Sequence, residues 1–182
     1  MKFTDKCVQA VKAYTEGMNG YDKDMGELKK RFSKGDISSN EYARRSSELT
    51  GISSGLNEQL YQTVYAARDE YISGLPYRYR RDSETMDAND LALLNSEAAG
   101  LTDDDVLRMF NKHSGSLGMQ GAIVEANAKR ENPASLTYFS RGVREEAART
   151  FAETAVAAAH ERGLRAAMMI DGKYIPSELI GE

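Results

Sequence analysis

Cysteine, proline, histidine and tryptophan are scarce in this sequence, and each scarcity removes a class of protein. Among 182 residues there are one cysteine, Cys7, no tryptophan, three prolines and two histidines. One thiol cannot close an internal disulfide or build a cysteine zinc site, which excludes a secreted disulfide scaffold and fits a reducing compartment. No apolar run approaches the ~18 residues of a membrane span, and Met1 to Lys6 lacks the apolar core of a signal peptide, so the expected location is cytoplasmic. His113 and His160 lie far apart, and neither occurs in a His-x-x-x-His or Glu-x-x-His spacing that would place two ligands on one helix face. There is no Gly-x-Ser-x-Gly elbow and no Gly-x-x-x-x-Gly-Lys phosphate loop. The expectation is therefore a non-enzyme with no catalytic residue, no cofactor and no metal.

What is present is ordinary for a globular chain: 41% apolar and 29% charged residues, mean hydropathy -0.58, and 24 basic against 28 acidic side chains for a net charge of -4. A chain of this length buries roughly 70% of its unfolded surface, enough for a core without staples. One compact domain, 1–182, is expected, with an N-terminal helical lobe at 1–75 and a second lobe at 76–182.

Apolar spacing predicts helices almost throughout. Phe3, Cys7, Val11, Tyr14 and Met18 recur at steps of three and four, with Thr4 as the expected cap. Met25, Leu28 and Phe32 continue after an expected break at Gly20. Gly35 is the stop, and Ser38 and Glu41 form a capping box for the next helix, with Ile37 and Tyr42 at the staple positions. Leu49 and Ile52 extend that face, and Leu56, Leu60, Val64, Ala67 and Tyr71 mark a further helix closed by Gly74 and Pro76. Asp87 to Ala99 reads as a helix capped by Asp87, and Thr102 caps another whose first turn holds Asp103, Asp104 and Asp105, where the helix dipole favours anions. Gly115 to Gly121 reads as a joint into a helix carrying Ile123. Val143, Ala147, Phe151, Ala155 and Ala158 line an Ala-rich helix ended by Gly163. The run Ala166 to Ile170, then Asp171-Gly172, then Lys173 to Ile175 reads as a β-hairpin near 166–175, because Asp-Gly supplies the positive φ of a two-residue turn. The expected fold is thus mainly α, a multi-helix bundle with a small C-terminal β-hairpin. Its expected core includes Phe3, Val11, Phe32, Leu49, Leu60, Val64, Leu94, Phe110, Ile123 and Phe151.

Charge is segregated along the chain. Between Asp82 and Asp105 lie eight acidic residues, Asp82, Glu84, Asp87, Asp90, Glu97, Asp103, Asp104 and Asp105, and no lysine or arginine. Just before them, Tyr77, Arg78, Tyr79, Arg80 and Arg81 interleave aromatic and basic groups, and residues 29–45 carry six basic against two acidic side chains. Tyrosine faces and arginine forks suit phosphates or an acidic partner, whereas a block of carboxylates suits a basic groove. The candidate partner-binding residues are therefore Tyr77, Arg78, Tyr79, Arg80, Arg81, Asp82, Glu84, Asp87, Asp90, Asp103, Asp104 and Asp105.

Residues 28–49, with Gly35, Asp36, Ile37, Ser38, Glu41 and Tyr42, resemble the short helical hairpin of SHOCT-type modules, which implies association. The Gly35-to-Glu41 spacing also matches the back half of a calcium loop, but Lys30, Phe32 and Lys34 occupy the first three ligand positions and exclude calcium. In its texture, small, acidic, helical and free of catalytic motifs, the chain is similar to proteins of phages and mobile elements, including anti-CRISPR inhibitors. That resemblance implies a protein partner in a bacterial host cell, possible engagement of a Cas nuclease or its nucleic-acid complex, and weak or no nucleic-acid binding by the isolated chain. Self-association as a phage structural or assembly protein is the alternative.

Overall fold

The computed structural model describes residues 1–82, 86–97 and 100–180, and its regular structure there is helical. The order is α1 (Phe3–Ser33), α2 (Ser39–Arg78), α3 (Ala88–Glu97), α4 (Asp103–Lys112), α5 (Leu117–Asn127), α6 (Arg141–Glu161) and α7 (Leu164–Ile170), with a 3-10 turn at Ser177–Leu179. No helix among the described residues is long and apolar enough to cross a membrane. The chain forms two compact units, one from 1–71 and 147–182, the other from 72–146. The C-terminal stretch thus belongs with the N-terminal helices, and the border falls inside α2 and α6.

In the first unit α1 and α2 run antiparallel. Phe3 stacks on Tyr71 at 5.1 Å, the Tyr14 hydroxyl donates to Asn57 Oδ1 at 3.0 Å, and Phe32 stacks on Tyr42 at 4.5 Å. Midway, a Cβ on Gly17 would lie 2.7 Å from Leu56 Cδ2, so the small residue lets Leu56 close the seam. The alanines of α6, with Phe151 edge-on to Phe3, cover one end of this pair, and α7 packs on α1. Between Tyr14 and Leu60 only Leu28 and Ile37 are buried. The outer halves of α1 and α2 therefore form a two-helix arm held by a narrow apolar seam.

Several expectations change here. Gly20 does not break α1, and Gly51, Gly55 and Gly74 lie within α2. A helical glycine costs about 1 kcal/mol relative to alanine, too little to break helices of 31 and 40 residues. Pro76 is also helical, near the end of α2, where the Tyr79 N–H closes the last turn on the Leu75 carbonyl at 3.0 Å. Thr4 is not the α1 cap, since the helix already includes Phe3 and Thr4 is buried. Phe32 and Val143, expected inside, are exposed, and Leu49 and Phe110 are half-buried. The hinge at 115–121 is instead the start of α5, capped by Ser116 and buried from Leu117 to Gly121.

The expected C-terminal hairpin is absent: Ala166 to Ile170 are helical. Gly172 has the positive φ anticipated, +70°, but uses it to end α7. The Lys173 N–H donates to the Met168 carbonyl at 2.9 Å and the Gly172 N–H to that of Met169 at 3.0 Å, the paired bonds of a Schellman stop. Gly35, at +78°, ends α1 by the same pair of bonds, from Asp36 to Arg31 and from Gly35 to Phe32. A five-residue apolar run does not distinguish strand from buried helix, and the helix formers Ala and Met decide it.

The second unit centres on Leu94, Val106, Met119 and Ile123, where α3 and α4 both pack on α5. Phe110, Leu91 and Leu101 close the margin.

Candidate functional site

The Tyr/Arg element lies in the second unit, at the C-terminus of α2. Leu75 is fully buried and fixes the last turn. From there Tyr77 points outward, 66% exposed, with the Arg80 guanidinium 4.1 Å from its ring centre. Arg80 Nε lies 3.1 Å from Asp82 Oδ2. Arg81 forms a two-pronged pair with Glu125 at 2.9 and 2.6 Å, which raises the arginine's pKa and lowers the carboxylate's. The approach depends on Gly121, where a Cβ would lie 2.6 Å from the Tyr138 hydroxyl and 2.9 Å from Arg81 Nη2. Tyr79 turns inward and donates its hydroxyl to the Phe139 carbonyl, with its ring edge-on to Tyr138. Burial raises the Tyr138 pKa. Arg78 is half-buried, Arg81 and Asp82 are exposed, and Glu84 lies outside the described residues.

The acidic stretch is not a free anionic face. Asp87 Oδ1 accepts from the N–H groups of Asn89 and Asp90, capping α3. Its other oxygen meets Lys112 Nζ at 3.1 Å, and Asp90 Oδ2 meets both Lys112 Nζ at 2.8 Å and His113 Nε2 at 2.7 Å. These contacts hold the start of α3 against the end of α4. The backbone N–H of Asp90, followed by Lys112, depresses the Asp87 pKa; Lys112, then His113, depresses that of Asp90. Asp90 in turn raises the Lys112 pKa. Asp103 pairs with Arg130 at 3.0 Å. Asp105 completes the capping box with Thr102 and pairs with Arg108; Thr102's hydrogen bonds lower its pKa. Asp104 is exposed at the head of α4.

Donor atoms of Asp87, Asp90 and His113 lie within 4.8 Å of one another, a spacing that could gather a cation. Lys112 already supplies one, its ammonium held between both carboxylates. The cluster accordingly works as a clamp between helix ends. Lys112, His113, Glu125, Arg130 and Tyr138 were not legible as site residues in the sequence, because their partners lie some 20 to 60 positions away and follow no local spacing.

In the first unit, the arm carries a groove of about 470 Å³ between α1 and α2, with Leu28, Leu49 and Ile52 along its floor and rim. Asp24 and Glu27 stand at one end and Arg31, Arg44 and Arg45 toward the tip. Cys7 is fully buried, and burial pushes its thiol pKa up to about 12, the condition of a structural thiol. His160 sits against the rings of Tyr14 and Tyr61, 3.1 Å from Asn57 Oδ1. No family model, curated protein or solved structure matches this chain.

Proposed function

We propose that this chain is a non-enzymatic interaction protein that binds and inhibits a nucleic-acid-handling enzyme, a Cas nuclease being the example its texture implies. The observation that supports this is the Tyr77–Arg80 pair. An exposed tyrosine is held under an arginine on a helix end anchored by Leu75, with Arg81 locked alongside by Glu125. Tyrosine and arginine dominate binding hot spots, and side chains already held in one arrangement lose less entropy on association. The acidic residues contribute less than their number promises, because Asp87, Asp90, Asp103 and Asp105 are neutralised locally, whereas Asp104 at the head of α4 is exposed. The test is nuclease inhibition and pull-down by the full chain against a panel of Cas nucleases, with Tyr77→Ala and Arg80→Ala beside the wild type. Inhibition by the wild type and a loss of roughly ten-fold or more in either variant, with unchanged urea unfolding, is the expected result. Wild-type inactivity across the panel would discard the inhibitor reading.

Self-association is the second reading, favoured by Ile52, 56% exposed beside the arm groove. Light scattering separates the two: large assemblies support a structural part, and a monomer or small oligomer supports an inhibitor.

A further inference from the structure

We propose that the tip of the α1/α2 arm binds the backbone of single-stranded nucleic acid, with Lys29, Lys30, Arg31 and Lys34 facing phosphates and the Phe32–Tyr42 pair offering a ring to a base. This goes beyond the reading of the second unit and rests on different residues. All four cations are exposed, and none has an ion-pair partner among the described residues. The neighbouring arginines differ: Arg44 pairs with Glu48 at 2.7 Å and Arg45 with Glu41 at 2.8 Å, each within its own helix. Those pairs occupy Glu41 and Glu48, Asp36 is the one acid in the turn, and Glu27, a turn back on α1, makes no ion pair with Lys30 or Arg31.

Cations at a helix C-terminus complement its dipole, but that effect is confined to the last turn and is worth about 0.3 to 1 kcal/mol per charge. Lys30 and Arg31 meet that need in the last turn of α1. Lys29 and Lys34 add like charge with no carboxylate paired to them among the described residues, an arrangement that repels itself until an anion arrives. In the middle of this set stands Phe32, 41% exposed, its ring 4.5 Å from that of Tyr42 and inclined by 27°. Stacked on Tyr42 and still partly exposed among these cations, the ring is placed to meet a base, since every base has a face that stacks on an aromatic. The Schellman stop at Gly35 and the bond from the Glu41 N–H to Ser38 Oγ at 3.2 Å fix the turn, so little ordering is needed on binding. A net charge of -4 does not oppose this locally, because charges beyond about 8 Å are screened at physiological salt.

The experiment is fluorescence anisotropy of a labelled oligothymidylate with the full chain, across a salt series from about 50 mM. Three or four neutralised phosphates give a slope of log affinity against log salt of roughly -2 to -3 for a single strand. Replacing Lys29, Lys30, Arg31 and Lys34 by Gln should abolish binding and flatten the slope, with urea unfolding unchanged. Phe32→Leu, which keeps an apolar side chain and removes the ring face, should weaken binding roughly ten-fold at an unaltered slope. Absence of binding by the wild type at low salt overturns the proposal. So does equal affinity for polyglutamate with no effect of Phe32→Leu, which would assign the tip to acidic protein segments. Either outcome leaves the Tyr77 and Arg80 variants free to succeed or fail on their own.

Discussion

A methyl group added to Gly118 would sit 2.1 Å from the carbonyl oxygen of Arg80. The first turn of α5 and the end of α2 thus meet backbone to backbone, at the segment that carries the Tyr/Arg element. Neither chain can yield by a rotamer change. Gly118→Ala should destabilise the second unit by about 1 to 3 kcal/mol, the usual range for overpacking. Urea unfolding followed at Tyr79 and Tyr138 measures it, and an unperturbed midpoint would show that the two segments part easily.

Both Schellman stops make a matched prediction. Gly35→Val and Gly172→Ala place a Cβ at φ +78° and +70°, which costs on the order of 1 kcal/mol or more. Gly172→Ala should speed amide exchange at Gly172 and Lys173, the two donors of the stop, while α7 stays helical. Slowed exchange paired across residues 168–173 would instead signal the hairpin geometry that the sequence had favoured.

Acid should loosen the α3–α4 clamp. The folded pKa values of Asp87, Asp90 and Asp105 lie below their ordinary value, so protonation favours the unfolded chain. Their stabilisation is complete above the unfolded carboxylate value of about 3.9 and is lost as pH falls through the lower folded values. Urea midpoints at pH 7, 4 and 2 should decline in that window. Asp90→Asn combined with Asp105→Asn should make the decline shallower; an identical profile in the double variant would show that these pairs do not couple to folding.

Cys7 should be inert in the native state. With its side chain fully buried and its pKa near 12, almost no thiolate exists at pH 8. Iodoacetamide labelling is expected only after denaturation, and native labelling within minutes would place the first turns of α1 in an open state.

Helical class, the stop at Gly35, the caps at Asp87 and Thr102, and core positions such as Phe3, Val64 and Ile123 were set by the sequence alone. The stop and the caps depend on residues within one or two turns, where a glycine at positive φ or a side-chain oxygen three residues from a free N–H is sufficient cause, and the core positions show in the helical spacing of apolar residues. Only the structure shows the rest. Helices α1 and α2 run past Gly20, Gly51 and Gly74, because a cost of about 1 kcal/mol per glycine is small against helices of 31 and 40 residues. Helix formers and a Schellman stop, rather than strand pairing, claimed Ala166 to Gly172. The acidic block was also recast in three dimensions: Lys112 and Arg130, distant in sequence, come within 3.1 Å of its carboxylates, whereas Lys29, Lys30, Arg31 and Lys34 acquire no such partners among the described residues. Charge segregation along a chain becomes a charged surface only where folding brings no counter-charge to it, and that is a property of the fold.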